Sequence, residues 1–364
     1  MKIKEIIQYL ESLAPLSSQE SYDNSGLIVG NRDLEVTQAL ICLDSTEAIV
    51  EEAIETGCNL IIAHHPIVFK GLKSLTGKNY VERVVLKCIK NDIALYAIHT
   101  NLDNYRFGVN DEFARRLNLK EVRILAPKHS MLYKLVVYVP KENQEQLANA
   151  MYEAGAGQIG NYKECSFSLE GSGTFTPILG ANPTIGQLNS REIVEEVRFE
   201  VLVDQHRLNR VLVEMKKNHP YEEVAHDIIP LANENQFEGA GMIGKLSEPV
   251  ETKIFLTQLK SVFNCGIIRH TKLVKDTVQT VAICGGSGSF LLNDAKRQKA
   301  DIFITGDFKY HEFFDAEDQL IIADIGHFES EQYTINLLGD VITKKFPNFA
   351  IRLTKINTNP INYF

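Results

Sequence analysis

The first residues place Ile3, Ile6, Ile7, Leu10 and Leu13 at the spacing of one helix face, with Lys2, Lys4 and Glu5 among them. This pattern predicts an opening helix and differs from a charged cap followed by an unbroken apolar core, as a secretory leader would have. From there to about residue 127, short apolar runs alternate with helical periodicity. Runs at 39–43, 59–63 and 93–98 predict strands, and 46–56, 80–91 and 109–117 predict helices. Asp44 with Glu47 reads as a capping box for the 46–56 helix, and Gly57 as its left-handed stop. Such alternation predicts a mostly parallel sheet covered by helices.

Between about 129 and 235 the rhythm changes. Strand patterns at 132–139, 163–170, 195–203 and 223–230, with helical patterns at 142–153 and 206–218, give the order βαββαβ of a ferredoxin-like α+β domain. The stretch 171–189, rich in Gly, Pro, Thr and Asn, reads as a mobile loop. After 239–244 the alternation returns, with strands expected at 281–284, 301–305, 320–323 and 349–353 and helices at 290–299, 310–316 and 329–345. The simplest topology is an α/β domain split into 1–128 and 236–364 by an insert at 129–235. A chain of 364 residues exceeds one ordinary core, which agrees with two domains.

Composition narrows the setting. The chain is 44% hydrophobic and 23% charged, as in a folded soluble protein, and no apolar run approaches the roughly 20 residues of a membrane span. Six scattered cysteines form no CxxC pair, so free, mostly buried thiols in a reducing, cytoplasmic compartment are expected. With 47 acidic against 38 basic residues the net charge is −9, and no basic block interrupts it, which argues against nucleic acid as a partner.

The candidate chemistry gathers at strand ends. Asn59-Leu-Ile-Ile-Ala-His-His-Pro66 puts two histidines just past a buried strand, where open α/β sheets hold ligands. Adjacent side chains on extended backbone diverge, so His64 and His65 suit two neighbouring metals better than one. The next strand ends in Ala97-Ile-His-Thr-Asn-Leu-Asp-Asn104, which brings His99 and Asp103 to the same edge; a carboxylate there can bridge two ions. Ile321-Ile-Ala-Asp-Ile-Gly-His-Phe-Glu-Ser-Glu331 repeats the context, with His327 and Glu331 four apart on one helix face and Glu329 expected in solvent. Singly, each has an ordinary reading as a cap, turn or core residue; it is the shared context that points to metal. Three imidazoles and two carboxylates suit two divalent ions, Zn²⁺ above all, admitting Mn²⁺, Fe²⁺ or Co²⁺ and disfavouring Ca²⁺. Asp307 and His311 beyond the 301–305 strand read as orienting or proton-carrying groups, or as helix caps. Gly285-Gly-Ser-Gly-Ser289 offers either backbone amides for a phosphate or a tight turn; Ser287 does not sit in a GxSxG elbow.

His-His-Pro at 64–66, Thr-Asn-Leu-Asp at 100–103, Thr-Gly-Asp at 305–307 with Tyr310-His311, Gly326-His327 with Glu331, and Tyr22-Asp-Asn-Ser-Gly-Leu27 together resemble the GTP cyclohydrolase 1 type 2 homologue family, also called NIF-three-like. The resemblance implies a dinuclear, usually zinc, centre held by His64, His65, Asp103, His327 and Glu331. It also implies a toroidal homohexamer and, with Asn218-His-Pro-Tyr-Glu-Glu-Val224 closing the insert, the long form carrying a PII/CutA-like domain.

Two functions follow as expectations. One is a metal-dependent hydrolase, GTP cyclohydrolase-like, acting on a nucleotide or phosphorylated small molecule, with His99 or His311 as proton carrier. The other is a non-catalytic metal-binding assembly whose insert senses or recruits a partner. No sequence feature reads guanine.

Overall fold

The structure, a computed structural model, describes residues 1–129 and 131–364 and forms a mixed α/β protein of several sheets. Ala39–Cys42, Leu60–Ala63 and Ala94–Ala97 are buried at every position and pair in parallel as neighbours. Gly26–Val29 closes one edge antiparallel, and Ile351–Leu353 returns from far along the chain to lie parallel on the other. Alternation along each strand divides the core. Ile41, Ile62 and Tyr96 share a cluster with Ile3, Ile6 and Leu10 of helix Ile3–Leu13 and with Leu337 and Ile342 of helix Thr334–Lys345. Leu40, Ile61 and Leu95 pack instead with Ile49 and Val84, from helices Glu47–Thr56 and Tyr80–Lys90. A strand buried on both faces reads as a continuous apolar run, which is why these three were visible in the sequence.

The expectation of one mostly parallel sheet needs correction. A second, six-stranded sheet runs in the order Arg269–His270, Ile321–Asp324, Ile302–Gly306, Thr277–Ser287, Gly239–Glu251, Lys120–Pro127. Only its two inner pairings, Thr277–Ser287 with Ile302–Gly306 and that strand with Ile321–Asp324, are parallel. Strand Gly239–Glu251 escaped notice because Gly241, Gly244 and Pro249 break its apolar pattern.

Local corrections follow from side-chain chemistry. Thr46, not Asp44, caps helix Glu47–Thr56, its Oγ1 accepting from the Ile49 amide; Gly57 does close it with φ of 74°. The expected helix 329–345 is broken into His327–Glu331 and Thr334–Lys345, and 310–316 is a tight 3-10 turn.

The chain clusters into two compact units, Met1–Pro127 with Phe237–Phe364, and Lys128–Gln236. The second contains strands Leu132–Pro140, Ser166–Phe175, Glu192–Asp204 and His226–Pro230, with helices Gln144–Glu153 and Gln205–Asn218. Its sheet is antiparallel throughout, with the first and third of these strands at the centre. Leu135, Val137, Phe199 and Val201 of that sheet meet Leu147, Met151, Val211 and Met215 of the helices in its core.

Because Ile62 is fully buried between sheet and helices, Ile62→Ala should lower unfolding free energy by about 3 kcal/mol. Ile54→Ala, on a helix face 41% exposed, should change it by about 0.5 kcal/mol or less. Denaturant midpoints of the two variants check the difference; equal losses would mean that the sheet core is not packed as described.

Candidate metal centre

The parallel strands of both sheets in the first unit end at one place. His64 and His65 follow Leu60–Ala63, their amides donating to Cys42 and Leu43 carbonyls at 3.1 and 2.9 Å, which keeps the backbone extended. Their rings lie side by side and tilted, with centroids 4.8 Å apart and planes at 48°. Asp103 ends the single helical turn Thr100–Asp103 beyond Ala94–Ala97. His327 and Glu331 lie on the short helix that follows Ile321–Asp324 of the second sheet.

Glu331 is the focus. Its Oε1 lies 3.8 Å from His64 Nε2, and its Oε2 lies 3.0 Å from His65 Nε2 and 3.1 Å from His327 Nε2. Asp103 Oδ1 lies 3.6 Å from His64 Nε2. Two groups able to hold an ion therefore share Glu331: His65, His327, Glu331 and His64, Asp103, Glu331; a third joins His64, His65 and His99. The carboxylate positioned between groups is thus Glu331, where the sequence suggested Asp103. Gly286, at φ of 63°, permits this approach, since a Cβ there would stand 2.3 Å from Glu331 Oε1.

Each imidazole is oriented through Nδ1. His64 Nδ1 donates to the Ile98 carbonyl at 2.8 Å, His65 Nδ1 to Asp44 Oδ1 at 2.8 Å, His327 Nδ1 to Asp307 Oδ2 at 2.7 Å and His99 Nδ1 to Asp23 Oδ1 at 2.8 Å. A carbonyl only accepts, so His64 carries its proton on Nδ1 and turns a lone pair on Nε2 inward. His64 Nε2, Asp103 Oδ1 and Glu331 Oε2 are buried without an aligned hydrogen bond. Buried polar atoms of this kind are costly unless a partner such as a cation meets them, and the donor set fits one.

Electrostatics agrees. Burial holds His64 down to about 4. For His65 burial opposes protonation, but the bond to Asp44 and the nearby Glu331 carboxylate outweigh it and raise its pKa to about 9. His327 is raised to about 11, foremost by the Glu331 charge. Burial and the Glu331 charge push the Asp103 carboxyl well up; Glu331, despite burial, is held well down, foremost by the charge of His327 and by the nearness of the His65 ring. Protons on His65 and His327 thus occupy positions that a cation would take.

Several residues outside the expected set support these groups. Asp23, in the Tyr22–Leu27 motif, accepts from His99 and from the Thr100 amide at 3.0 Å, tying the motif to the 100–103 turn. Asp44 stands at a strand end, the same signal that marks the histidines, and it orients His65 instead of capping the helix. Thr358 Oγ1 donates to its Oδ2 at 2.6 Å, a contact no sequence pattern announced. Asp307 sits at φ of 58°, a left-handed conformation unusual for aspartate, where it reaches His327.

Other expectations are corrected. Glu329 is 6% exposed and accepts from Asn359 Nδ2 at 3.1 Å, so it is not in solvent. The Gly285 and Gly286 amides donate to Asn110 Oδ1 and Ser330 Oγ, both at 2.9 Å, so they are engaged with side chains and do not cradle a phosphate. His311 is exposed on the 310–316 turn with its ring against Tyr310 and Phe314, and it does not line the site. His99 does, its ring 5.3 and 5.2 Å from those of His64 and His65.

Over this cluster opens a cavity of about 640 Å³, and His65, His99, Asp103, His327 and Glu331 are in its wall. The family model for Duf34/NIF3 (NGG1p interacting factor 3) matches residues 1–360. The chain belongs to the Duf34/NIF3 family. A Halalkalibacterium halodurans protein named GTP cyclohydrolase 1 type 2 homolog is 42% identical over 324 residues, 88% of this chain and 87% of that one. A Bacillus subtilis protein of the same name is 38% identical over 366 residues, 99% of this chain and 98% of its own. The crystal structure of a Bacillus cereus protein related to NIF3 superposes with a TM-score of 0.87 at 38% identity, covering 100% of this chain and 99% of that one. The name shared by the relatives is a family name, and the groups described here are where a Duf34/NIF3 chain of this sequence could bind metal. Among the described residues no helix is long and apolar enough to cross a membrane, and all six cysteines are free, five of them buried.

Since a metal must displace protons held by His65 and His327, affinity for added Zn²⁺ should rise with pH below about 9, about tenfold per unit for each proton displaced. Titration calorimetry in buffers of different ionisation enthalpy should show proton release on binding. In the metal-free chain the sign is opposite: the raised pKa values stabilise the fold fully below the ordinary 6.5, and that contribution is lost as pH rises through about 9 and then about 11. Metal affinity independent of pH would contradict the ligand set.

Proposed function

We propose that His64, His65, Asp103, His327 and Glu331 hold two divalent ions, Zn²⁺ fitting the donor set best, and that the centre hydrolyses a nucleotide or another phosphorylated small molecule. The observation that carries this reading is the sharing of Glu331 between two ligand groups at the floor of a cavity of small-molecule size. Bound divalent ions acidify water and polarise a phosphoryl oxygen. Asp44 and Asp307 hold the His65 and His327 rings in register, and Glu331 sets the separation of the two groups. His99, fixed by Asp23 and facing the cavity, is placed to take or return a proton, and no comparable placement supports His311.

A second reading, a non-catalytic metal-binding assembly, is favoured by one feature: among the residues lining the cavity there is no lysine or arginine to grip a phosphate. We further propose that 128–236 is an inserted domain of ferredoxin-like, PII/CutA-like form. Its compactness, its βαββαβ order and its central first and third strands support this. The family resemblance supports a toroidal homohexamer, and the amphipathic opening helix with six free thiols supports a cytoplasmic location.

The purified protein should carry about two transition-metal ions per chain by elemental analysis, and Asp103→Asn should lose metal together with at least about a hundredfold of any turnover. His99→Ala should keep the metal and lower only the rate. A preparation that neither carries nor binds Zn²⁺ overturns the centre, and a fully loaded protein inert toward nucleotides and phosphoesters favours the second reading.

Pro127 and Gly239 are partners on neighbouring strands, so a short linker can replace 128–236. The shortened chain should remain soluble and helical by circular dichroism and should bind metal. An unfolded product would show that the excised segment completes the main core.

A further inference from the structure

The cavity wall is chemically lopsided. Tyr22, Phe69, Tyr80 and Phe290 line it with half or more of each side chain still exposed, an unusual concentration of uncovered aromatic surface in one concavity. Phe69 already meets the His99 ring edge-on at 5.8 Å, so one of these rings adjoins the histidine cluster directly. The charged side chains in the same wall, histidines apart, are Glu20, Asp44, Asp103 and Glu331, all acidic.

The charge of the centre is lower than its ligands alone suggest. Two divalent ions against Asp103 and Glu331 leave a formal +2. Asp23, Asp44 and Asp307, each bound to a histidine of the cluster, bring five carboxylates around the ions and turn that to −1 with the imidazoles neutral. A ligand can still gain by coordinating an ion with one anionic group. Additional negative charge then lies along an acidic wall with no cationic side chain to receive it.

We propose, building on the metal-dependent reading above, that the cavity selects a planar heteroaromatic compound bearing a single phosphoryl group and discriminates against nucleoside triphosphates. The phosphoryl group lies at the ions, and the flat ring covers the aromatic mouth, where Tyr22, Phe69, Tyr80 and Phe290 offer π-faces to any base.

The test uses the full chain loaded with Zn²⁺ and equilibrium dialysis at fixed ionic strength against GMP, GTP and glycerol phosphate. GMP should bind at least about tenfold more tightly than either of the others, GTP failing by charge and glycerol phosphate by lacking a ring. Phe290→Ala should weaken GMP about tenfold and leave glycerol phosphate unchanged, while Phe290→Trp should restore GMP. GTP binding as tightly as GMP would overturn the proposal, as would equal losses for GMP and glycerol phosphate in Phe290→Ala. Metal content measured on the same samples separates the two readings. A chain that holds Zn²⁺ but shows no preference for GMP overturns the selection alone, and a chain that retains no Zn²⁺ overturns the metal centre together with the selection built on it.

Discussion

A buried carboxylate among three imidazoles organises the molecule's functional end. Glu331 is almost fully buried, its oxygens lie within 3.8 Å of Nε2 atoms of His64, His65 and His327, and its charge raises the pKa of two of those rings. Such a charge is tolerated inside a protein only when opposite charge meets it, so the position of every neighbouring group is constrained by it. The glycine at 286 is one consequence, because a side chain there would occupy the space of the Glu331 oxygen.

The same constraint explains the outer ring of acceptors. Four histidines converge without a disordered choice of ring orientation because Ile98, Asp44, Asp307 and Asp23 each engage an Nδ1. Three of the four acceptors are carboxylates, which supply charge as well as direction. They lower the net positive charge that bound ions would bring, and so they bear on what the cavity can accept as well as on how the ligands are held.

Two sheets are needed to assemble this. His64, His65 and Asp103 come from strand ends of the five-stranded sheet, and His327 and Glu331 from a strand end of the six-stranded sheet. Ile351–Leu353 then crosses back to the first sheet, and the segment after it brings Thr358 to Asp44. The site thus depends on chain segments separated by some 300 positions, and the cores that hold the strand ends rigid are the ones clustered about Ile41 and Ile62 and about Ile283 and Ile304.

By itself the sequence determined the elements whose side chains alternate into a buried core, and five residues, His64, His65, Asp103, His327 and Glu331, that could hold metal. Four-residue runs such as Leu60–Ala63 are buried on both faces, so their apolar character is continuous and legible, and histidine or carboxylate just past such a run stands out. The tertiary structure decided the rest. That the strands belong to two sheets, that Glu331 and not Asp103 stands between the ligand groups, and that Asp44 orients a histidine while Thr46 caps the helix are all matters of distance between segments remote in sequence. His311 shows the same limit from the other side: it shares a sequence motif with the site, yet the tight turn at 310–316 turns it to solvent. Local pattern records which face of an element is apolar, but only the packing of those faces fixes which polar ends meet.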